Sequence, residues 1–110
     1  MPPKRERLTK QDFSELSRRN MIRNPLFDIG FLSSAQMKVA CIISKKTVKL
    51  AVDRNKIKRK MFNLFEGNKP KKPYIIIMYP KREVLYTPYL KLKSEMEGIF
   101  AKIEKNKSQI

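Results

Sequence analysis

Between Ser44 and Phe65 the chain reads S-K-K-T-V-K-L-A-V-D-R-N-K-I-K-R-K-M-F-N-L-F, and nearly every side chain there that could do chemistry is a cation. Cations at this density neutralise phosphates, and each contact displaces a condensed counterion. The candidates are Lys45, Lys46, Lys49, Arg54, Lys56, Lys58, Arg59 and Lys60, with Asn55 among them either hydrogen-bonding a sugar or base edge or simply occupying a polar face. The apolar residues of the same stretch keep helical spacing. With Leu50 as the zero of a wheel advancing roughly 100° per residue, Ile57, Met61, Leu64 and Phe65 fall within about 60° of it and form a stripe to bury. Asn55, Lys56, Arg59 and Lys60 lie on the far side, with Lys58 at the border. Arg54 projects nearer the stripe, so it either extends past the end of a core or packs its stem against one. One helix can therefore dock on a core and face a polyanion together.

Catalytic chemistry is poorly provided for. The absence of histidine removes an imidazole base or metal ligand and any Ser-His triad. Cys41 by itself can form neither a zinc site nor an internal disulfide, and between Ala40 and Ile42 it reads as a small buried hydrophobe. Asp53, Glu66, Glu83, Glu95, Glu97 and Glu104 sit beside lysines or on helix flanks, as solvated structural charge does. Asp12 reads as a capping-region residue, and Gly30, Gly67 and Gly98 are too scattered to cradle a phosphate. No catalytic or metal-ligating residue is expected in the chain. Phe13, Phe27 and Phe31 could pack a core or stack on unpaired bases.

A length of 110 residues suits one domain, residues 1–110, with a core that needs no disulfide or metal. Lys and Arg number 26 against 10 Asp and Glu, a net charge of +16 that asks for a polyanionic partner, either nucleic acid or an anionic membrane. No run is long enough to span a bilayer and no apolar region follows the first basic residues, so the expected location is the cytoplasm. A basic helix could lie on a membrane surface, but its apolar stripe is needed for the fold; no membrane partner is expected.

The elements that must position the basic helix can be placed from pattern. Residues 1–7 form a Pro-containing basic tail, expected to be flexible until it meets a partner. Thr9 caps a short helix reaching about Arg19, with Asp12 at its positive end and Leu8 able to staple onto Phe13. Asn24-Pro25 breaks it, and Leu26 to Leu32 alternates as a half-buried strand with Phe27, Ile29 and Phe31 on one face. Lys38 to Ser44 reads as a second strand hairpinned to the first, with Val39, Cys41 and Ile43 on one side. The basic helix stops near Gly67, which is expected to supply a left-handed cap before Pro70. Tyr74 to Tyr79 is apolar and β-branched without alternation, as a central strand covered on both faces is. Val84-Leu85-Tyr86 offers an edge strand or an extended lead-in; Thr87 caps and Pro88 opens a last helix with Leu92, Met96, Ile99 and Ile103 at helical spacing. Residues 105–110 are expected to fray. The sum is an α+β domain of about four strands in a mixed sheet packed with three helices.

The order Arg54-Asn55-Lys56-x-Lys58-Arg59, preceded by Ser44-Lys45-Lys46 and Ala51-Val52, resembles the signature helix of the bacterial ribonuclease P protein component. The likeness extends to Lys4-Arg5-Glu6-Arg7-Leu8 with Asp12-Phe13, and to Tyr74-Ile75-Ile76-Ile77 followed by a closing helix. Where the family usually has Arg-Asn-Arg this chain has Arg54-Asn55-Lys56, losing a forked donor at the third position, and Ser17 stands where an apolar side chain is common. The resemblance implies a fold shared with the second domain of a small-subunit ribosomal protein, with a left-handed crossover through the signature helix between parallel neighbouring strands. It implies a subunit of the enzyme that removes the 5′ leader of precursor tRNA, in which a large RNA carries the catalytic Mg²⁺ ions and the protein, a monomer outside the ribonucleoprotein, carries none. By the same resemblance Lys45, Lys46, Arg54, Asn55, Lys56, Lys58, Arg59 and Lys60 would bind the RNA subunit, while Phe13, Phe27, Arg5 and Arg7 would meet the leader. The alternative partner is ribosomal RNA, since ribosomal proteins share this charge and size.

Overall fold

The structure, a computed structural model, describes residues 19–107. Four strands, β1 (Asn20–Ile22), β2 (Phe27–Ser33), β3 (Lys38–Cys41) and β4 (Tyr74–Pro80), form one sheet in the order β1-β2-β4-β3. Helix α1 (Ala51–Gly67) connects β3 to β4, and helix α2 (Tyr89–Lys107) closes the described chain. The helix expected over residues 9–19 and the basic tail lie outside the described residues, apart from Arg19.

Strand β4 is central because its side chains can be buried on both faces. Ile76 and Met78 face Phe27, Ile29, Phe31 and Val39 in the main core, while Ile75 and Ile77 head a second apolar cluster with Leu32 and Tyr79. Consecutive residues of a strand point to opposite faces, so an unbroken apolar run is the signature of double coverage. The main core is completed by Ile57, Met61, Leu64 and Phe65 of α1 and by Leu92, Met96, Ile99, Phe100 and Ile103 of α2. Phe65 and Phe100 meet edge to face at 6.1 Å between ring centroids, joining the two helices within that core.

Several sequence expectations are corrected. Strands β2 and β3 do not form a hairpin: β4 lies between them, antiparallel to β2 and parallel to β3. The hairpin is instead β1–β2, with Met21 opposite Gly30, and β1 occupies residues the pattern left unassigned. A Cβ on Gly30 would stand 3.0 Å from the side chains of Arg19 and Met21, so its absence lets β1 lie close. No glycine among the described residues has positive φ; α1 ends on Asn68, whose side-chain amide donates to the Leu64 carbonyl at 2.9 Å. Residues 82–86 form a 3₁₀ turn, not an edge strand, with Val84 buried. Thr87 does not cap α2, because its hydroxyl donates back to the Glu83 carbonyl at 2.6 Å; the Pro88 carbonyl accepts from Lys91 and Leu92 instead. Cys41 is only half-buried, although desolvation still pushes its thiol up to about 12.

The turn between β1 and β2 is held by polar contacts. Asp28, only 9 % exposed, accepts from the Asn24 amide at 3.0 Å and pairs with Arg23 at 3.1 Å and Lys81 at 3.4 Å. Burial opposes its charge, but these donors prevail and hold the carboxyl below its ordinary range. Glu95 is likewise held low, by Asn24 and then Lys91. A carboxylate with a depressed folded pKa stabilises above its unfolded pKa and loses that contribution as pH falls through the folded value. Melting temperature is therefore expected to drop as the pH goes below about 4. Asp28→Asn should lower it at neutral pH and flatten the acid slope; an unchanged slope would show that Asp28 is not the group responsible.

Candidate nucleic-acid interface

The cations of residues 44–60 come from two local structures. Ser44 folds a single tight turn: its hydroxyl and carbonyl each accept from the Thr47 amide at 3.1 Å, and Val48 also donates to the Ser44 carbonyl at 3.1 Å. The turn drives Val48 into the core, 4 % exposed, and leaves Lys45, Lys46 and Lys49 outside. Helix α1 begins only after it, with Leu50 as an extended N-cap. Leu50 is therefore not in the buried stripe predicted from the wheel but 61 % exposed, because the helical register that would turn it inward starts one residue later.

Arg54 resolves the choice left open by the wheel. Its Nη1 donates to the carbonyls of Val48 and Lys49, each at 2.8 Å, so the guanidinium braces the turn against the helix. Asn55, Lys56 and Arg59 are exposed on the side of α1 opposite Ile57, Met61 and Leu64, and Lys58 is half-buried at the border. Lys60 is not on the far side: ten steps of roughly 100° bring it about as near the stripe as Lys58, and its ammonium turns toward the 3₁₀ turn, 3.4 Å from the carbonyls of Val84 and Leu85. Phe27 is wholly buried in the main core, so its ring presents no open face to a base in this structure. Arg5, Arg7 and Phe13 lie outside the described residues.

Few acids compete for these cations, although Asp53 in the first turn of α1 stands among them. Asp28, Glu66 and Glu95 carry the ion pairs of the described residues, and Lys45, Lys46, Lys49, Lys56, Lys58 and Arg59 take part in none. Among the described residues no group of three or more acidic or cysteine side chains is gathered that could hold a metal ion. Arg82 is the cation that pattern reasoning missed; it reaches the Lys46–Lys49 turn from a segment far along the chain, and no local spacing marks it.

Such a surface, a face of unpaired cations on a helix that links parallel strands of a mixed sheet, defines an α+β domain built to bind a polyanion. The particular family follows from comparison. The model of the ribonuclease P family matches residues 1–104, and the chain belongs to that family, the protein subunits of an endoribonuclease in which the protein has no catalytic role. Solved structures agree. The ribonuclease P protein of Staphylococcus aureus superposes with a TM-score of 0.72 at 23 % identity, covering 91 % of this chain and 95 % of its own. That of Thermotoga maritima gives 0.76 at 20 % identity, with 89 % and 97 % covered. A Staphylococcus aureus mutant described as defective in mRNA degradation activity gives 0.74 at 24 % identity, with 91 % and 88 % covered. No curated protein sequence matches the chain. Family membership favours the ribonuclease P subunit over the ribosomal alternative.

Proposed function

We propose that this chain binds the ribonuclease P RNA through the Lys45–Lys49 turn and the Asn55, Lys56 and Arg59 face of α1, with Lys58 at its edge and Arg54 fixing the two parts in register. The observation that carries this reading is the set of unpaired cations on one side of a helix whose other side is core. Lys60 contributes indirectly, anchoring the 3₁₀ turn beside the same face. The single-stranded leader of precursor tRNA is met by the segment before β1, with Phe13 as the stacking candidate and Arg5 and Arg7 on the backbone. Mg²⁺ is held by the RNA subunit and substrate, and the protein's cations lower the requirement for it by offsetting phosphate repulsion. The protein acts in the cytoplasm, as a monomer apart from the ribonucleoprotein.

Reconstitution tests this directly. Added to the cognate RNA subunit at low Mg²⁺, the protein is expected to restore cleavage of precursor tRNA, and to favour precursors with a leader over mature tRNA. The protein by itself should cleave neither. Metal-dependent cleavage by rigorously RNA-free protein, lost when its acids are mutated, would overturn the division of labour, and no stimulation of the RNA would overturn the assignment.

A further inference from the structure

Beside the head of α1 lies a cleft of about 360 Å³, at the lower end of the roughly 300–1,000 Å³ range of small-molecule sites. It is walled by two segments more than thirty residues apart in the chain, the turn at Lys46–Lys49 and the 3₁₀ turn at Arg82–Leu85, and Asp53 of α1 also lines it. Leu50, 61 % exposed, and half-buried Leu85 give it an apolar lining. Its charged groups are unusual in their company: Lys46, Lys49 and Arg82 line the same cleft as the Asp53 carboxylate, yet none of the four makes an ion pair among the described residues. The cleft thus offers an apolar surface, an excess of positive charge at the rim and one acceptor-only group.

A ligand that answers all of these has a flat apolar body, an anionic group and N–H donors on its edge. We infer that this cleft takes a single unpaired nucleotide of the bound RNA, its base against Leu50 and Leu85, its phosphate on Lys46, Lys49 and Arg82, and its donor edge on Asp53. The inference rests on the reading of this face as RNA-facing and gives it a specificity element. A carboxylate accepts hydrogen bonds and donates none. Guanine presents N1–H and an exocyclic amine side by side and is therefore the preferred base, whereas uracil presents one N–H flanked by two carbonyl oxygens and is the poorest. Arg82 acts here as a phosphate contact, and Asp53 as the residue that discriminates.

Isotope-labelled full-length protein titrated with GMP, AMP, CMP and UMP, with sodium phosphate as the anion control, tests the inference by NMR. GMP should move the amides of Val48, Lys49, Asp53 and Leu85 and bind roughly tenfold more tightly than UMP, the worth of about one charge-assisted hydrogen bond. Arg82→Ala should weaken all four nucleotides while leaving the spectrum folded, since Arg82 is exposed. Asp53→Asn should erase the preference for GMP over UMP without weakening phosphate. Phosphate that reproduces the GMP shifts with equal affinity, nucleotides that bind without preference, or shifts confined to other residues would each overturn the inference. Binding of the RNA subunit is measured in parallel. Failure of wild-type protein to assemble would sink the proposed function and leave the mononucleotide result standing, while failure of the mononucleotides would leave the α1 face intact.

Discussion

Ile57→Asp is expected to leave the protein unfolded at room temperature, while Arg59→Ala, two residues along the same helix, is expected to leave its melting curve unchanged and weaken the RNA complex. Ile57 has no exposed surface and sits in the main core with Met61 and Leu64. A carboxylate placed there loses its hydration and finds no partner, the kind of change that costs more than about 4–5 kcal/mol. Domains of this size have about 5–15 kcal/mol in total, and a chain with a net charge of +16 already works against its own compactness. Arg59 has the opposite setting. It is exposed, makes no ion pair among the described residues and touches nothing the fold requires. Its removal should lower the slope of log affinity against log salt by about one unit if it holds one phosphate. Circular dichroism melts and salt titrations of the reconstituted complex read the two effects separately. Melting by Arg59→Ala with RNA affinity preserved would mean that the faces of α1 are reversed.

The contrast was visible in the sequence because it depends only on helical period. Ile57, Met61, Leu64 and Phe65 share one side whatever else the chain does, and Ile75, Ile76 and Ile77 without alternation require cover on two faces. What local pattern could not supply is which strand inserts where. Lys38 to Cys41 follows β2 closely, so a hairpin is the natural local answer, yet β4, more than thirty residues later, takes the place between them. Hydrophobic demand explains the outcome: β4 has apolar side chains on both faces and gains most from two neighbours, whereas β3, with Lys38 and half-exposed Ala40 on one face, tolerates an edge. The site shows the same division. The exposure of Lys45, Lys46, Asn55, Lys56 and Arg59 was legible because it follows from spacing; Arg54 and Lys60 were named as cations but the carbonyls that tether them were not, and Arg82 was missed, since these contacts come from turns that only the folded chain brings near.

Asn24 is the residue whose weight the sequence hid most completely, and its substitutions carry the second large effect. Read beside Pro25 it is a helix breaker. In the fold all of its polar groups are engaged: its amide donates to Asp28 at 3.0 Å, its carbonyl accepts from the Lys81 ammonium at 2.6 Å, its side-chain oxygen accepts from the Leu26 amide at 2.8 Å, and its side-chain amide donates to Glu95 at 3.0 Å. One residue thus ties the β1–β2 turn to the end of β4 and to α2. Asn24→Ala removes the two side-chain bonds and leaves the Leu26 amide and Glu95 short of a partner, so a loss of about 1–3 kcal/mol is expected. Asn24→Asp separates the two bonds. Its carboxylate can still accept from Leu26, but its other oxygen now faces Glu95 where a donor stood, and two carboxylates so close raise each other's pKa. A carboxylate whose folded pKa is raised takes up a proton on folding, so its destabilisation is greatest at neutral pH and fades on acidification. The variant should therefore melt well below wild type at pH 7, approach it near pH 5, and fall with it below about pH 4 as Asp28 is protonated. Thermal melts of both proteins across that range provide the measurement. An Asn24→Asp protein whose deficit stays constant from pH 7 to pH 5 would show that Glu95 swings clear into solvent, and that α2 is held to the turn by its apolar face alone.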